Sequence, residues 1–390
     1  MKLIFLISNR LSYSSLKESK ISNFLSIAGM GVGCFALVIS VSILNGFENL
    51  VKSKLMGFGG EIKITGGVKY SDYEKIENIN GVLAAMPFME RRALINKGKE
   101  FKVVTYKAVE IDKLKKVYSF DISGSLTEDG IMIGQDLSIS LGLQIGDEIE
   151  VYSPIDQSFS LGVPRKKKLK VSGIFTTRVL NYDEQYVFIS LNMGESIFVR
   201  KKSIDGFDVR LNDYKIMKKW GKEIFDSIGQ APNIQTWEDL NKSLVDAMKL
   251  ERVGIIMILS LIFLIAAFNL ASTLTLISMQ KIRDTTILQF LGAPTALLNK
   301  ILFFMGLKKG LKGAVWGLFS GNFLVLFQST TKLIPIPSNV YFTDSLPMSI
   351  NLFDLLIIII IAITFIILPS YISSRRVATF TPQQGMQWFK

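Results

Sequence analysis

The stretch from Glu251 to Pro294 restricts the fold of this 390-residue chain more than any other. From Val253 to Gln280 there are 28 consecutive residues without a charge. About 20 apolar residues cross the hydrocarbon core of a bilayer, so the run predicts a membrane-spanning helix. Glu251 and Arg252 mark one end of it, and Lys281 and Arg283 the other. The sequence DTTILQFLGAP follows. Asp284 is suited to accept a hydrogen bond from the free amides of a first helical turn. Ile287, Leu288, Phe290 and Leu291 cluster on one side. Gly292 can supply a left-handed stop, and Pro294 cannot continue the helix. A two-turn amphipathic helix of this kind can dock in another protein's groove. It can equally be a turn lying on the lipid surface, and periodicity favours neither.

Composition narrows the function. The formal charge is +12, but many basic residues flank apolar runs, as membrane flanks do. Nucleic acid is therefore not an expected partner, whereas membrane lipid is. The absence of histidine excludes Ser-His-Asp catalysis and HExxH zinc sites. The single cysteine, Cys34, lies in an apolar run, so an intrachain disulfide is impossible. No GxxxxGK followed by Ser or Thr occurs, so this chain is not expected to hydrolyse ATP. No metal site and no paired catalytic carboxylates stand out.

The expected fold is a membrane protein with four transmembrane α-helices and an α+β extracytoplasmic domain inserted between the first and second spans. Residues 1–20 are too short a run to span and read as an in-plane cytoplasmic helix, with Arg10, Lys17 and Lys20 facing headgroups. A cleaved signal peptide is rejected, because the next apolar run is longer and lacks a small-x-small site. Residues 21–47 form the first span. Its Gly29, Gly31, Gly33, Cys34 and Ala36 are read as small residues that admit a neighbouring helix. Asn45-Gly46 is expected to loosen it.

Residues 48–249 form the α+β domain, with strands at GEIKITGG, Arg91–Glu110, KLKVSGIFTTR, QYVFISL and GFDVRL. Helices are expected at Ser71–Asn80, Tyr214–Ile228 and Trp237–Lys249. Lys166 to Lys168 read as a solvated loop. Residues 250–280 are the second span, 281–295 the hinge helix and 296–328 the third span. Lys308, Lys309 and Lys312 lie inside that third run, where mid-bilayer ammonium groups are costly. They are expected to snorkel to headgroups. A Pro-rich loop covers 329–352, the fourth span 353–373 and a polar tail 374–390. Lys and Arg in the short loops put both termini and the hinge inside, and the α+β domain outside.

This layout resembles the permeases of lipoprotein-releasing ABC transporters, the LolC/LolE-like family within the MacB/FtsX superfamily. The stretches that carry the resemblance are ISNFLSIAGMGVG with VSILNGFENL, IMIGQDLSISLGLQIGDEIEV, and KLERVGIIMILSLIFLIAAFNLASTL. The linker ending in ILQFLGAP, LPMSINLFDLL and the closing RRVATFTPQQGMQ also match. The resemblance implies a multi-pass protein of the inner membrane of a bacterium with an outer membrane. It implies a separate ABC ATPase subunit in two copies, which binds ATP and Mg; no cofactor is expected in this chain.

A second permease subunit, identical or paralogous, is also implied, together with lipoprotein substrates and a periplasmic lipoprotein carrier. In the family the hinge helix couples to the ATPase, which places Asp284, Thr285, Ile287, Leu288, Leu291, Gly292 and Ala293 at that contact. Acyl chains need an apolar cavity, for which Ile43, Leu44, Phe47, Ile255, Ile256 and Leu259 are available. The alternative for each is ordinary span packing or lipid contact. The loop Pro154 to Pro164, with Ile155, Phe159 and Leu161, falls where family members hook the carrier. A hairpin tip packed on its own domain is the alternative. Family members usually carry apolar residues at the positions of Lys308 and Lys309. Asn269 matches a family Asn and is expected to bond between helices.

Two other functions share this architecture. A MacB-like efflux permease carries its ATPase ahead of the first span, where about 20 residues leave no room for a domain. An FtsX-like regulator of a cell-wall hydrolase fits the size of the outer domain less well.

Overall fold

The computed structural model describes residues 17–98, 100–153, 165–198, 203–212, 232–280, 282–337 and 343–378. Two compact units result, Leu50–Asp246 and the remainder.

The remainder is a helical bundle. Helices α1 (Lys17–Gly59), α2 (Lys242–Gln280), α4 (Thr295–Thr331) and α5 (Leu352–Ala378) are each long and apolar enough to cross a membrane. Helix α3 (Ile282–Phe290) joins α2 to α4. Met30, Leu37, Phe263, Leu270, Met305 and Ile366 lie in the shared core.

In lipid no hydrophobic effect pulls helices together, so close backbone approach matters. Helix α4 supplies it with Gly313, Gly317 and Gly321, which face Ile27, Met30, Gly31, Cys34 and Val38 of α1. A Cβ on Gly317 would overlap the Gly31 carbonyl oxygen. Cys34, fully buried, is part of this seam. Gly33 instead faces Phe263, and Gly29 meets nothing within 4 Å.

Helix α1 is unbroken through Asn45-Gly46, which corrects the expected loosening. The glycine is needed for tertiary reasons. A Cβ there would overlap the Pro347 carbonyl. Ser349 N–H donates to the Ser42 carbonyl at 3.0 Å, and Asn49 Nδ2 to Ser349 Oγ at 3.1 Å. The LPMS segment thus lies along α1.

The unit Leu50–Asp246 is built on a ten-stranded sheet. Its strands are β1 (Ile62–Thr65), β2 (Val82–Lys97), β3 (Glu100–Val109), β4 (Asp121–Gly124), β5 (Gly130–Gly134), β6 (Glu148–Ser153), β7 (Arg165–Thr176), β8 (Tyr186–Ser190), β9 (Gly206–Leu211) and β10 (Asn233–Thr236). The order is β10-β1-β9-β2-β3-β8-β5-β7-β4, with β6 pairing β2 and β7. Two pairings are parallel, β3 with β8 and β5 with β7. The 16-residue β2 organises the sheet: its first half pairs with β9 and its second with β3 and β6.

The expected helix at Ser71–Asn80 is a 3-10 turn followed by Tyr73–Glu77. That at Trp237–Lys249 breaks at Asn241, after a Thr236–Asp239 capping box. The helix expected at Tyr214–Ile228 lies outside the described residues.

One apolar cluster of this unit gathers around Phe58, near the end of α1. Its ring stacks on Tyr182 at 4.1 Å and meets Tyr186 and Phe188 edge-on at 4.8 and 5.7 Å. Beside it is a buried ion cluster. Lys107 Nζ is 2.5 Å from Asp208 and 3.3 Å from Glu90, with Phe58, Phe88 and Tyr118 rings around it. Burial alone would lower the Lys107 pKa, but the charges of Asp208, Tyr118 and Glu90 outweigh it and hold it well above the ordinary value.

Candidate functional site

Three separated sequence stretches meet at one end of the bundle: ILNGFE of α1, the ERV at Glu251–Val253 of α2, and LPMSINLFD before α5. Arg252 Nη2 donates to Asp354 Oδ1 at 2.7 Å and to Asn45 Oδ1 at 3.2 Å. Arg252 Nη1 reaches Glu48 Oε2 at 3.4 Å. Asn45 Nδ2 donates to Asp354 Oδ2 at 2.8 Å. Asp354 is only 8% exposed and Asn45 6%. Arginine suits the place because its planar fork serves several acceptors at once and cannot lose its charge. The cluster ties the first, second and fourth long helices at the point where α1 and α2 lead to the soluble unit. Sequence reading took Arg252 only as an end marker, and nothing in it paired residue 252 with residue 354.

The other end carries α3. This helix is described from Ile282 on, with Asp284 in its first described turn. Thr285 follows in the same turn. The end of α3 is a Schellman closure: Ala293 N–H bonds the Leu288 carbonyl and Gly292 N–H the Gln289 carbonyl, both at 2.9 Å. Gly292 has φ +90, which an L side chain rarely adopts.

The apolar residues of α3 divide into two sets. Leu288 packs on the bundle core. Ile287, Phe290 and Leu291 are 49%, 66% and 79% exposed.

The residues expected to line an apolar cavity are placed otherwise in the single chain. Leu44 is buried, Leu259 lies in the bundle core, and Ile43 and Ile255 pack against that core. Phe47 and Ile256 are half-buried. An apolar groove lies elsewhere in the bundle, between α2 and α5. It is lined among others by Phe268, Ser272, Leu276, Leu368 and Ile372, with a volume of about 710 Å³. The loop Pro154, Ile155, Phe159, Leu161 and Pro164 lies outside the described residues.

Two further readings need correction. Lys309 does not snorkel: it is 4% exposed, and its Nζ has no hydrogen-bond partner among the described residues. Lys312 is exposed. Asn269 is also exposed. Hydroxyls that do bond between helices include Ser26 with Thr273 at 2.5 Å and Ser373 with the Ala271 carbonyl at 3.3 Å.

Known proteins supply the frame for this geometry. Residues 23–224 match the family described as MacB-like periplasmic core domain, and residues 256–382 that described as FtsX-like permease C-terminal. Four spanning-length helices with these two regions define an integral membrane protein of the permease class. The chain is 26% identical over 387 residues to the lipoprotein-releasing system transmembrane protein LolC of Neisseria meningitidis, covering 93% of each. It is 23% identical to the LolC of Xylella fastidiosa, again over 93% of each. The LolE of Haemophilus influenzae is 23% identical over 92% of each chain. The chain belongs to the family with a MacB-like periplasmic core domain, and it is similar along nearly its whole length to LolC and LolE proteins.

Proposed function

We propose that this chain is the permease subunit of an ATP-driven transporter that extracts lipoproteins from the outer leaflet of the inner membrane and passes them to a periplasmic carrier. Similarity to LolC and LolE proteins along nearly the whole chain carries this reading. Both termini and α3 face the cytoplasm. The chain is non-catalytic: ATP and Mg are bound by a separate ABC ATPase present in two copies. A second permease, identical or paralogous, completes the membrane part.

The exposed set on α3 supports the ATPase contact, because Ile287, Phe290 and Leu291 offer an apolar knob that a protein groove can bury. The cavity residues of α1 and α2 would open to substrate only when the two permeases part. The loop from Pro154 to Pro164 serves as the carrier hook.

Affinity purification from the native membrane tests the reading. An ABC ATPase and lipoproteins should co-purify, and lipoprotein should raise the ATPase rate. Recovery of a cell-wall hydrolase in their place would overturn it.

A further inference from the structure

Helix α4 is bonded differently in its two halves. Among the described residues of the bundle, two buried side-chain atoms have no hydrogen-bond partner, Lys309 Nζ and Asn299 Oδ1. Both lie in the half of α4 that follows α3. In the other half, Gln328 donates to the Leu346 carbonyl at 3.4 Å and accepts from Ile334 N–H at 3.1 Å. An orphan polar group in an interior is one sign of stored strain.

Lys309 is the costlier of the two. It is 4% exposed. Its neighbours one turn back, one residue on and one turn on are Gly306, Gly310 and Gly313. A Cβ on Gly306 would meet Leu274 and Ser370, one on Gly310 would meet Ile366, and one on Gly313 would meet Ile27 and Met30. Positions three and four apart share a helix face, so α1, α2 and α5 all close over the side that Lys309 occupies. Charged, the amine lacks acceptors there. Neutral, it has given up a proton that water would leave on it. Either state costs free energy that a lysine at the headgroups is spared.

Little opposes an exchange between the two places. Lys312, in the next turn, is exposed, so a lysine at this depth that faces outward reaches headgroups by snorkelling. Lys309 shares its face with Leu298, Leu302 and Met305 of the bundle core. These lose little by turning outward, because acyl chains are as apolar as leucine. The segment is bounded by backbone that can bend, with Gly292 at φ +90 before it and Gly310 and Gly313 at its far end.

We infer that the half of α4 next to α3 has a second packing, turned so that Lys309 leaves the bundle for the headgroups beside Lys312, and that the buried amine keeps this packing populated. The inference rests on the bundle alone and does not need the proposed function. It gives α3, which leads into this segment, a two-state element to act on.

The test uses the unmodified full chain in phosphatidylcholine nanodiscs, pulsed with acetic anhydride, with acetylation of each lysine followed by mass spectrometry. Lys312 sets the rate of an open lysine. Lys107, 2% exposed and held by Asp208 and Glu90, sets that of a closed one. Lys309 should react at about one-hundredth of the Lys312 rate or faster, as a second packing populated at about 1% requires. A slower rate, down to that of Lys107, would show that the bundle has a single packing. The role of the amine is read at Met305, buried one turn from Lys309. In a chain carrying Cys34→Ser and Met305→Cys, adding Lys309→Met should slow labelling of position 305 by N-ethylmaleimide about tenfold, whereas adding Lys312→Met should leave it unchanged. Equal rates with and without the Lys309 amine would refute the bias. The lysine measurement needs no variant, so it decides the matter where a variant fails to fold.

Discussion

Arg252 Nη2 and Asp354 Oδ1 stand 2.7 Å apart, joining the second long helix to the start of the fourth. Asn45 bonds both partners, so three helices share one charge pair. The pair is only partly buried, with Arg252 32% exposed at its side chain. Arg252→Met should therefore cost less than the roughly 3–5 kcal/mol of breaking a fully buried pair. Adding Asp354→Asn to that variant should restore part of the loss, because the remaining amide no longer carries an unpaired charge. Thermal unfolding of the detergent-solubilised chain measures both.

The glycine seam makes an opposed pair of predictions. Gly317→Ala puts a methyl onto the Gly31 carbonyl and should destabilise the bundle by about 1–3 kcal/mol or more. Gly29→Ala meets nothing within 4 Å and should be neutral or stabilise by about 0.5–1 kcal/mol through helix propensity. Thermal midpoints moving equally in the two variants would show that the seam is not tight.

On α3 the structure separates two substitutions that sequence alone treats alike. Leu291→Glu alters an exposed residue and should leave the thermal midpoint of the permease unchanged while reducing ATPase co-purification. Leu288→Asp places a charge against the bundle core and should lower the permease's own stability. Unchanged ATPase recovery with Leu291→Glu would remove this face from the contact.

The ion cluster of the soluble unit makes stability depend on pH. Burial opposes ionisation of Glu90, but Lys107 and Lys63 outweigh it and hold its carboxyl below the ordinary range. A depressed folded pKa adds stability that is present above the unfolded value and lost as pH falls through the folded one. The stability gap between the unmodified chain and Glu90→Gln should thus be constant near neutrality and close below about pH 4. A gap that widens on acidification would contradict the assignment. Lys107→Met should be costlier, by about 3–5 kcal/mol, since Asp208 would remain buried without its cation.

The spans were legible because a long uncharged run has few other folds, and most strands because glycines and alternation bound them. Gly292 was legible too, since its stop depends on neighbours in sequence. What depended on distant partners was not. Gly46 reads as a helix breaker until Pro347, 301 residues later, is seen to occupy its empty side. Arg252 reads as a boundary charge until Asp354 is placed beside it. Lys309 reads as a snorkelling lysine because sequence does not show which face of α4 the other helices cover. The apolar groove was missed for the same reason: its two walls come from helices about 100 residues apart.

Phe58 has a practical consequence for anyone dividing this chain. By hydropathy the first helix belongs to the membrane, and a cut after its last residue, Gly59, seems harmless. Yet its last turns carry Leu55, which packs with Trp237 and Val245, and Phe58, which the rings of Tyr182, Tyr186 and Phe188 enclose. A soluble fragment begun at Glu61 would keep every strand and lose the side chain at the centre of its aromatic core. One begun at Leu50 would keep it, at the cost of a short helical stem.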